Sequence, residues 1–363
     1  MKALFIVSCI VPFLMLVYPI LSFLRYLFFK KPVLKSEDFL VPVSIIIACY
    51  NEEKHIREKL NSLLDPSEWI EESEIIVVSG GSTDETNRIL SEFESNPKVQ
   101  IIYSSTQLSK INGVNLAVEN AHHEILVFSD CRQKMKKGSV RELVFHFNDP
   151  KIGTVASVLH DNPDQHSSFF RTIINGLVLL DSKSGSGYNV YGALYAQRKN
   201  IFQPFPQDQL FDDLCVIVST IAQGTRLVQE PKAIIYDIPF QNYYKKERLE
   251  RLTRGLLLFI TKKWKQVMRM PLGDQFRFLV FKFGKLLLPF TFLIWGIYLM
   301  LFLIQSNLYC SLISLVTLGI LLLIPKIRKA LFLFLRINLY FFYAIFKFTF
   351  LKQRSERWEK LKE

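Results

Sequence analysis

The chain has 363 residues, with 45 Lys and Arg against 33 Asp and Glu, giving a formal net charge of +12. Half of the residues are hydrophobic, 13% are aromatic, and the mean hydropathy is +0.20. These values exclude a disordered tail protein, a collagen and a disulfide-stapled mini-domain. The apolar excess gathers at the two ends, which argues against a wholly soluble chain, while the middle is long enough to bury a core of its own.

The first element is an uncharged apolar run, Ala3 to Leu24, long enough to span the hydrocarbon core as a helix. No A-x-A-like site follows it, so it reads as an uncleaved anchor. Arg25, Lys30, Lys31 and Lys35 follow, and the positive-inside rule then places the middle of the chain on the cytoplasmic side.

Next comes a succession of short apolar runs. Val43–Ile47, Glu74–Val78, Val99–Tyr103 and Glu124–Phe128 read as buried strands. Helical patterns over about Glu53–Leu64 and Asn112–Asn120 lie between them, and Ser82 with Glu85 has the spacing of a capping box. Strands alternating with helices predict an α/β layer with a mainly parallel sheet. Polar residues collect after the strands: Tyr50-Asn51-Glu52, the Ser79–Glu85 turn and Asp130. In open α/β sheets, ligands bind beyond the carboxyl ends of the strands, which suggests a nucleotide or nucleotide-sugar site. The G-x-G-x-x-G and P-loop patterns are absent, so dinucleotide and P-loop readings lose their main support.

Towards the end, Lys262–Lys285 mixes basic, aromatic and Met residues and reads as a helix lying at anionic headgroups. Leu286–Ile304 and Leu308–Ile324 are uncharged apolar runs that read as a membrane hairpin, basic on both flanks. Ala330–Leu351 is apolar but carries Arg336 and Lys347, and reads equally as a further span or a re-entrant segment. These basic flanks account for much of the charge, so no nucleic-acid partner is expected. The five cysteines are dispersed without C-x-x-C spacing, which argues against a zinc knuckle or a disulfide framework.

Taken in order, the polar blocks resemble the family 2 glycosyltransferases with the GT-A nucleotide-sugar-binding fold. The resemblance runs over Val41–Gly255. Pro42 to Glu53 is similar to the opening strand and N-E turn, Ser79–Asp84 to the S-D-G-S-T-D turn, and Lys110 with Asn115 to the K-x-x-x-x-N pattern. Asp130 opens the acidic motif, Gly192–Arg198 resembles the acceptor-side glycine segment, and Asp212-Asp213 stands where the family has Glu-Asp. Arg251–Gly255 resembles the end of Q-x-x-R-W-x-R-G.

The departures are specific. Gly80 replaces a carboxylate that contacts the base in the family. Cys131-Arg132 follows Asp130, so the second acid of D-x-D is missing, as in D-A-R-Q-like variants. Arg248 and Leu252 replace the Gln and Trp of the last motif.

The resemblance implies a membrane-bound inverting transfer of a sugar from a nucleoside diphosphate to a hydroxyl. It implies Asp213 as base with Asp212 beside it. Donor contacts are expected at Tyr50, Asn51, Glu52, Gly80, Ser82, Asp84, Lys110, Asp130 and Arg132. Acceptor contacts are expected at Gly192, Ala193 and Tyr195, and diphosphate contacts at Arg251 and Arg254. One Mg²⁺ or Mn²⁺ is expected on Asp130, and a UDP-sugar is the default donor. The acceptor is expected to be lipid-linked or a growing glycan, at a bacterial inner membrane. A processive polysaccharide synthase and a non-catalytic sugar-nucleotide-binding membrane protein are the alternatives. The expected domains are an anchor at 1–30, the GT-A domain at 41–240, an interfacial segment at 241–285 and membrane segments at 286–351.

Overall fold

The computed structural model describes residues 2–161, 169–206, 212–237, 246–305, 312 and 323–350. Two compact units are present. One comprises Met1–Leu21, Tyr243–Leu258 and Phe276–Arg354; the other comprises Ser22–Asn242, Phe259–Gln275 and Ser355–Glu363.

The larger unit is built on an eight-stranded sheet of order β3-β2-β1-β4-β7-β6-β8-β5. Its strands are β1 (Val43–Cys49), β2 (Glu74–Ser79), β3 (Val99–Tyr103), β4 (Ile125–Ser129), β5 (Lys134–Met135), β6 (Ile152–Asp161), β7 (Leu194–Arg198) and β8 (Arg226–Asp237). β1 pairs in parallel with both β2 and β4, and β2 with β3. β7 runs antiparallel to β4 and β6, so the sheet is mixed with a mostly parallel half. The parallel strands are apolar on both faces because helices cover both. Ile45, Ile46, Ile47, Ile75, Ile76, Val77, Leu126 and Val127 are all buried.

The crossovers are α2 (Ile56–Leu63), α3 (Thr86–Ser91) and α4 (Lys110–Glu119), followed by α5 (Ser139–Val144), α6 (Phe169–Ser184) and α7 (Asp212–Ala222). α4 begins two residues earlier than its pattern predicts, because the Ser109 hydroxyl accepts the Asn112 N–H at 3.1 Å. The expected capping box at Ser82 does not form. α3 starts at Thr86 after Glu85, the Ser82 hydroxyl instead accepts the Asn51 N–H, and Asp84 accepts the Thr86 N–H at 3.0 Å.

The remaining helices are α1 (Lys2–Phe29), α8 (Lys246–Val267), α9 (Leu272–Gln305) and α10 (Pro325–Phe350). Among the described residues, three stretches are long and apolar enough to cross a membrane: Ala3–Phe29, Leu272–Gln305 and Leu331–Phe350. The helix carrying 286–304 therefore starts well before that run, at Leu272. The second leg of the expected hairpin, 308–324, falls almost entirely outside the described residues.

Within the smaller unit, aromatic contacts join these helices. Phe5 stacks on Tyr298 with centroids 4.2 Å apart, and the Trp295 indole N–H donates to Ser8 at 2.9 Å. Phe292 meets Phe334 edge-on at 4.6 Å.

Candidate active site

The polar turns that follow the parallel strands come together at one end of the sheet. β1 leads into Asn51, which takes a left-handed backbone (φ 53°). Its side-chain oxygen accepts the Thr83 N–H at 2.8 Å, and its own N–H donates to Ser82 at 3.1 Å. The Glu52 N–H donates to Thr86 at 2.8 Å, and the Glu53 N–H to Asp84 at 3.3 Å. Asn51, Ser82 and Asp84 thus knit the β1 and β2 turns into one rigid rim. Tyr50 is half-buried there, and Glu52 is buried.

Gly80 and Gly81 sit under the 104–109 loop. The Leu108 N–H donates to the Gly80 carbonyl. A Cβ on Gly80 would stand 3.3 Å from the Leu108 Cβ. A side chain here would need Leu108 to give by a few tenths of an ångström. Gly81 has φ +73°, and a Cβ on it would lie 2.7 Å from the Thr106 backbone, so both conformation and space demand glycine.

The centre of the site is a cation between two carboxylates. Lys110, on the first turn of α4, places its ammonium 2.7 Å from Asp130 Oδ1 and 3.3 Å from Asp212 Oδ2. Burial opposes the Lys110 charge, but the two carboxylates outweigh it and hold the ammonium above the ordinary lysine range. Asp130 is delivered by the end of β4, and its N–H donates to the Ala193 carbonyl at 3.1 Å. Asp212 opens α7, where a carboxylate suits the helix N-terminus. Gly192 backs it, since a Cβ there would lie 3.2 Å from Asp212 Oδ1. Asp213 is the next residue on the same turn, its N–H donating to Asp212 Oδ1 at 3.0 Å.

Of the expected site residues, Lys110, Asp130, Asp212, Asp213, Gly192 and Ala193 therefore gather at one place. Ala193 contributes through its backbone. Arg132, two residues past Asp130, is exposed.

Tyr195 is corrected. It is fully buried and its ring stacks on Phe128 at 4.5 Å, so it is a core residue beneath the acids and cannot offer its ring to an acceptor. Burial, followed by the charges of Asp212, Asp130 and Asp213, pushes its phenol far up, and the hydroxyl stays protonated. Asn115 also has a structural role: it exchanges two hydrogen bonds of 2.9 Å with the Phe205 backbone. Arg251 and Arg254 lie on α8 within the smaller unit, the first exposed and the second buried.

Sequence reasoning missed Lys59. It lies on α2, is 5% exposed, and its ammonium donates to the Gln133 carbonyl at 2.5 Å. The available signal was a lysine on the apolar stripe Ile56, Leu60, Leu63.

Among the described residues, no group of three His, Cys, Asp or Glu side chains is placed to hold a metal ion. The donor set is the Asp130 carboxylate with Asp212 across from it, converging on a position now taken by an ammonium. These residues fit a hard divalent ion that draws most of its ligands from diphosphate and water.

Residues 44–205 match the family model described as Glycosyl transferase family 2. The chain is 30% identical over 152 residues to a poly-beta-1,6-N-acetyl-D-glucosamine synthase of Staphylococcus epidermidis, covering 40% of this chain and 36% of that protein. It is 22% identical over 227 residues to the synthase of the same name from Staphylococcus aureus, covering 59% and 53%. The chain thus spans about half or less of the curated relatives it matches. A mannosyltransferase from Pyrobaculum calidifontis, solved with GDP-Man and Mn²⁺, superposes with a TM-score of 0.74 at 21% identity, covering 96% of this chain and all of that one. That likeness establishes the fold. Residues 44–205 are thus similar to the family 2 glycosyltransferases, and the chain has the GT-A fold.

Proposed function

We propose that the protein is a membrane-bound inverting glycosyltransferase that moves a sugar from a nucleoside-diphosphate sugar to a hydroxyl acceptor. The observation that carries this reading is the Asp130–Lys110–Asp212 cluster, with Asp213 beside it and Gly192 behind it. The rim formed by Tyr50, Asn51, Glu52, Gly80, Ser82 and Asp84 would receive the nucleoside. Asp213 would take the acceptor's proton as its oxygen attacks the anomeric carbon. The nucleoside diphosphate then leaves with the electron pair of the broken bond. A positioned base of this kind contributes about 10²- to 10⁴-fold.

Asp212 holds Lys110 and orients the acceptor side. Lys110 and Arg132 would stabilise the charge of the departing phosphates, as ammonium and guanidinium groups do. Arg251 and Arg254 enter the proposal as diphosphate ligands on the motif alone. Asp130 would hold one Mg²⁺ or Mn²⁺, which supplies charge neutralisation at the diphosphate. The donor is proposed as a UDP-sugar, the acceptor as lipid-linked or a growing glycan, and the site as cytoplasmic at a bacterial inner membrane.

The names of the staphylococcal relatives favour a second reading, a processive polysaccharide synthase. Replacement of the motif's Gln and Trp by Arg248 and Leu252 favours single transfer. Product length on a gel separates the two readings.

The primary test is thermal denaturation of the full chain in detergent against a panel of nucleotide sugars, with Mg²⁺ or Mn²⁺. A matching donor at a hundredfold excess over its Kd stabilises by about 2.7 kcal/mol. If no nucleotide sugar shifts the transition and none is hydrolysed or transferred, the enzyme reading falls. Full activity on soluble acceptors without lipid overturns the lipid-linked acceptor.

A further inference from the structure

We propose that Lys59 is a positioning residue of the donor site, holding the Asp130–Gln133 turn in place from beneath. This rests on the reading of Asp130 and Arg132 as donor-site groups. Lys59 lies on the inner stripe of α2 with Ile56, Leu60 and Leu63, all three fully buried, and is itself 5% exposed. A methionine or leucine would suit that stripe, and burying an ammonium there is costly. A buried charge that breaks the local pattern calls for a reason at the place it touches.

What it touches is the Gln133 carbonyl, at 2.5 Å. Gln133 lies three residues past Asp130 and directly after Arg132, the two groups on this turn assigned to the donor. Among the described residues Lys59 forms no ion pair, so the bond to this carbonyl is its defined contact. Burial pushes its ammonium below the ordinary lysine range, while Cys131, Asp130 and Glu68 pull it back up, in that order.

The far end of the same segment is held in a complementary way. Glu68, buried, accepts the N–H groups of Gly138, Ser139 and Val140 at the start of α5, at 2.5, 3.2 and 2.7 Å. The α2–β2 region therefore grips residues 130–140 through a cation at one end and an anion at the other. The Asp130 N–H is tied to the Ala193 carbonyl just ahead of β7, so the turn has one anchor there and one on Lys59. Loss of the second anchor takes the Lys59 donor from a half-buried carbonyl and frees the turn to move.

The turn carries its own reporter. Cys131 is 6% exposed, and Cys215, on α7, is equally buried. The experiment measures alkylation of each cysteine in the folded, detergent-solubilised full chain by peptide mass mapping. It compares wild type, Lys59→Met, Lys59→Arg and the control Asn61→Ala, an exposed position on the same helix. Kinetics with UDP-N-acetylglucosamine and Mn²⁺ are measured alongside.

The expected result is Cys131 labelling at least tenfold faster in Lys59→Met, with Cys215 unchanged. Lys59→Arg, which keeps the cation, restores slow labelling at least in part, and Asn61→Ala behaves as wild type. In the kinetics, Lys59→Met raises the donor KM or lowers kcat/KM by at least tenfold. Equal acceleration of Cys131 and Cys215 means that Lys59 supports the whole fold, and overturns the proposal. So does a Cys131 rate within twofold of wild type. If Lys59→Met does not fold, Lys59→Arg decides alone: the proposal requires that Cys131 stay protected in it. The labelling readout needs no turnover, so it tests the anchor whether or not UDP-N-acetylglucosamine is the donor; the enzyme reading stands or falls separately, on the full nucleotide-sugar panel.

Discussion

Replacing Lys110 with Met removes the cation between Asp130 and Asp212 while keeping an unbranched side chain one atom shorter. A hydrogen bond to a charged group contributes about 1.5–3 kcal/mol. Lys110 makes two such contacts, at 2.7 and 3.3 Å, the second of them long, and its side chain is 31% exposed. The pair is then worth about 2–4 kcal/mol rather than twice the single-bond figure. In wild type a divalent ion at Asp130 must first displace the ammonium; in Lys110→Met the two carboxylates face each other with no counter-charge. Metal affinity in the variant should therefore rise, by no more than roughly 30- to 700-fold, since each tenfold corresponds to about 1.4 kcal/mol.

The assay is thermal denaturation without nucleotide across a MnCl₂ titration. The metal-free variant should melt below wild type, and the Mn²⁺ midpoint should fall at least tenfold. Transfer activity should fall as well, because Lys110 is also assigned to the donor. An unchanged or higher Mn²⁺ midpoint would refute the view that the ammonium occupies the cation position.

Asp213→Asn should lower kcat by about 10²- to 10⁴-fold while leaving donor-induced stabilisation intact; a wild-type rate removes Asp213 from the role of base. Gly81→Ala should destabilise by about 2–4 kcal/mol in urea denaturation, because its φ of +73° and the Thr106 backbone at 2.7 Å both oppose a Cβ. Glu230, 4% exposed, accepts from His146 at 2.6 Å and Lys35 at 2.8 Å. Glu230→Gln should cost about 2–4 kcal/mol, read in the same denaturation. Burial raises the Glu230 pKa, but His146, Lys35 and the Lys232 N–H bring it down to about 2. A carboxyl depressed on folding adds stability that is complete above its unfolded pKa and lost as pH falls through the folded one. An acid titration should show this loss between about pH 4.5 and 2 in wild type, and Glu230→Gln should lack that component.

Much of the parallel half of the sheet was legible in the sequence. The runs at 43–47, 74–78, 99–103 and 124–128 become β1 to β4 with small changes at their ends. Apolar runs of that length must be covered on both faces, and helices between them supply the cover. The polar residues at the ends of those strands were legible for the same reason: a side chain beyond a buried strand faces solvent or ligand. Boundaries set by side-chain bonds were less visible. Ser82 has the spacing of a cap, yet its hydroxyl is taken by Asn51 from another turn. Tyr195 stands in a motif that resembles an acceptor segment, but its strand lies inside the sheet, and its ring turns to Phe128.

The amino-acid order by itself determined the strand–helix alternation, the apolar helices and the polar blocks Asn51, Asp130 and Asp212-Asp213, because periodicity and residue chemistry are local properties. Tertiary structure alone decided that Lys110 stands between Asp130 and Asp212, that Gly192 backs Asp212, and that Lys59 reaches Gln133. Those contacts join residues far apart in the chain, and their geometry depends on sheet order and register, which no local pattern specifies.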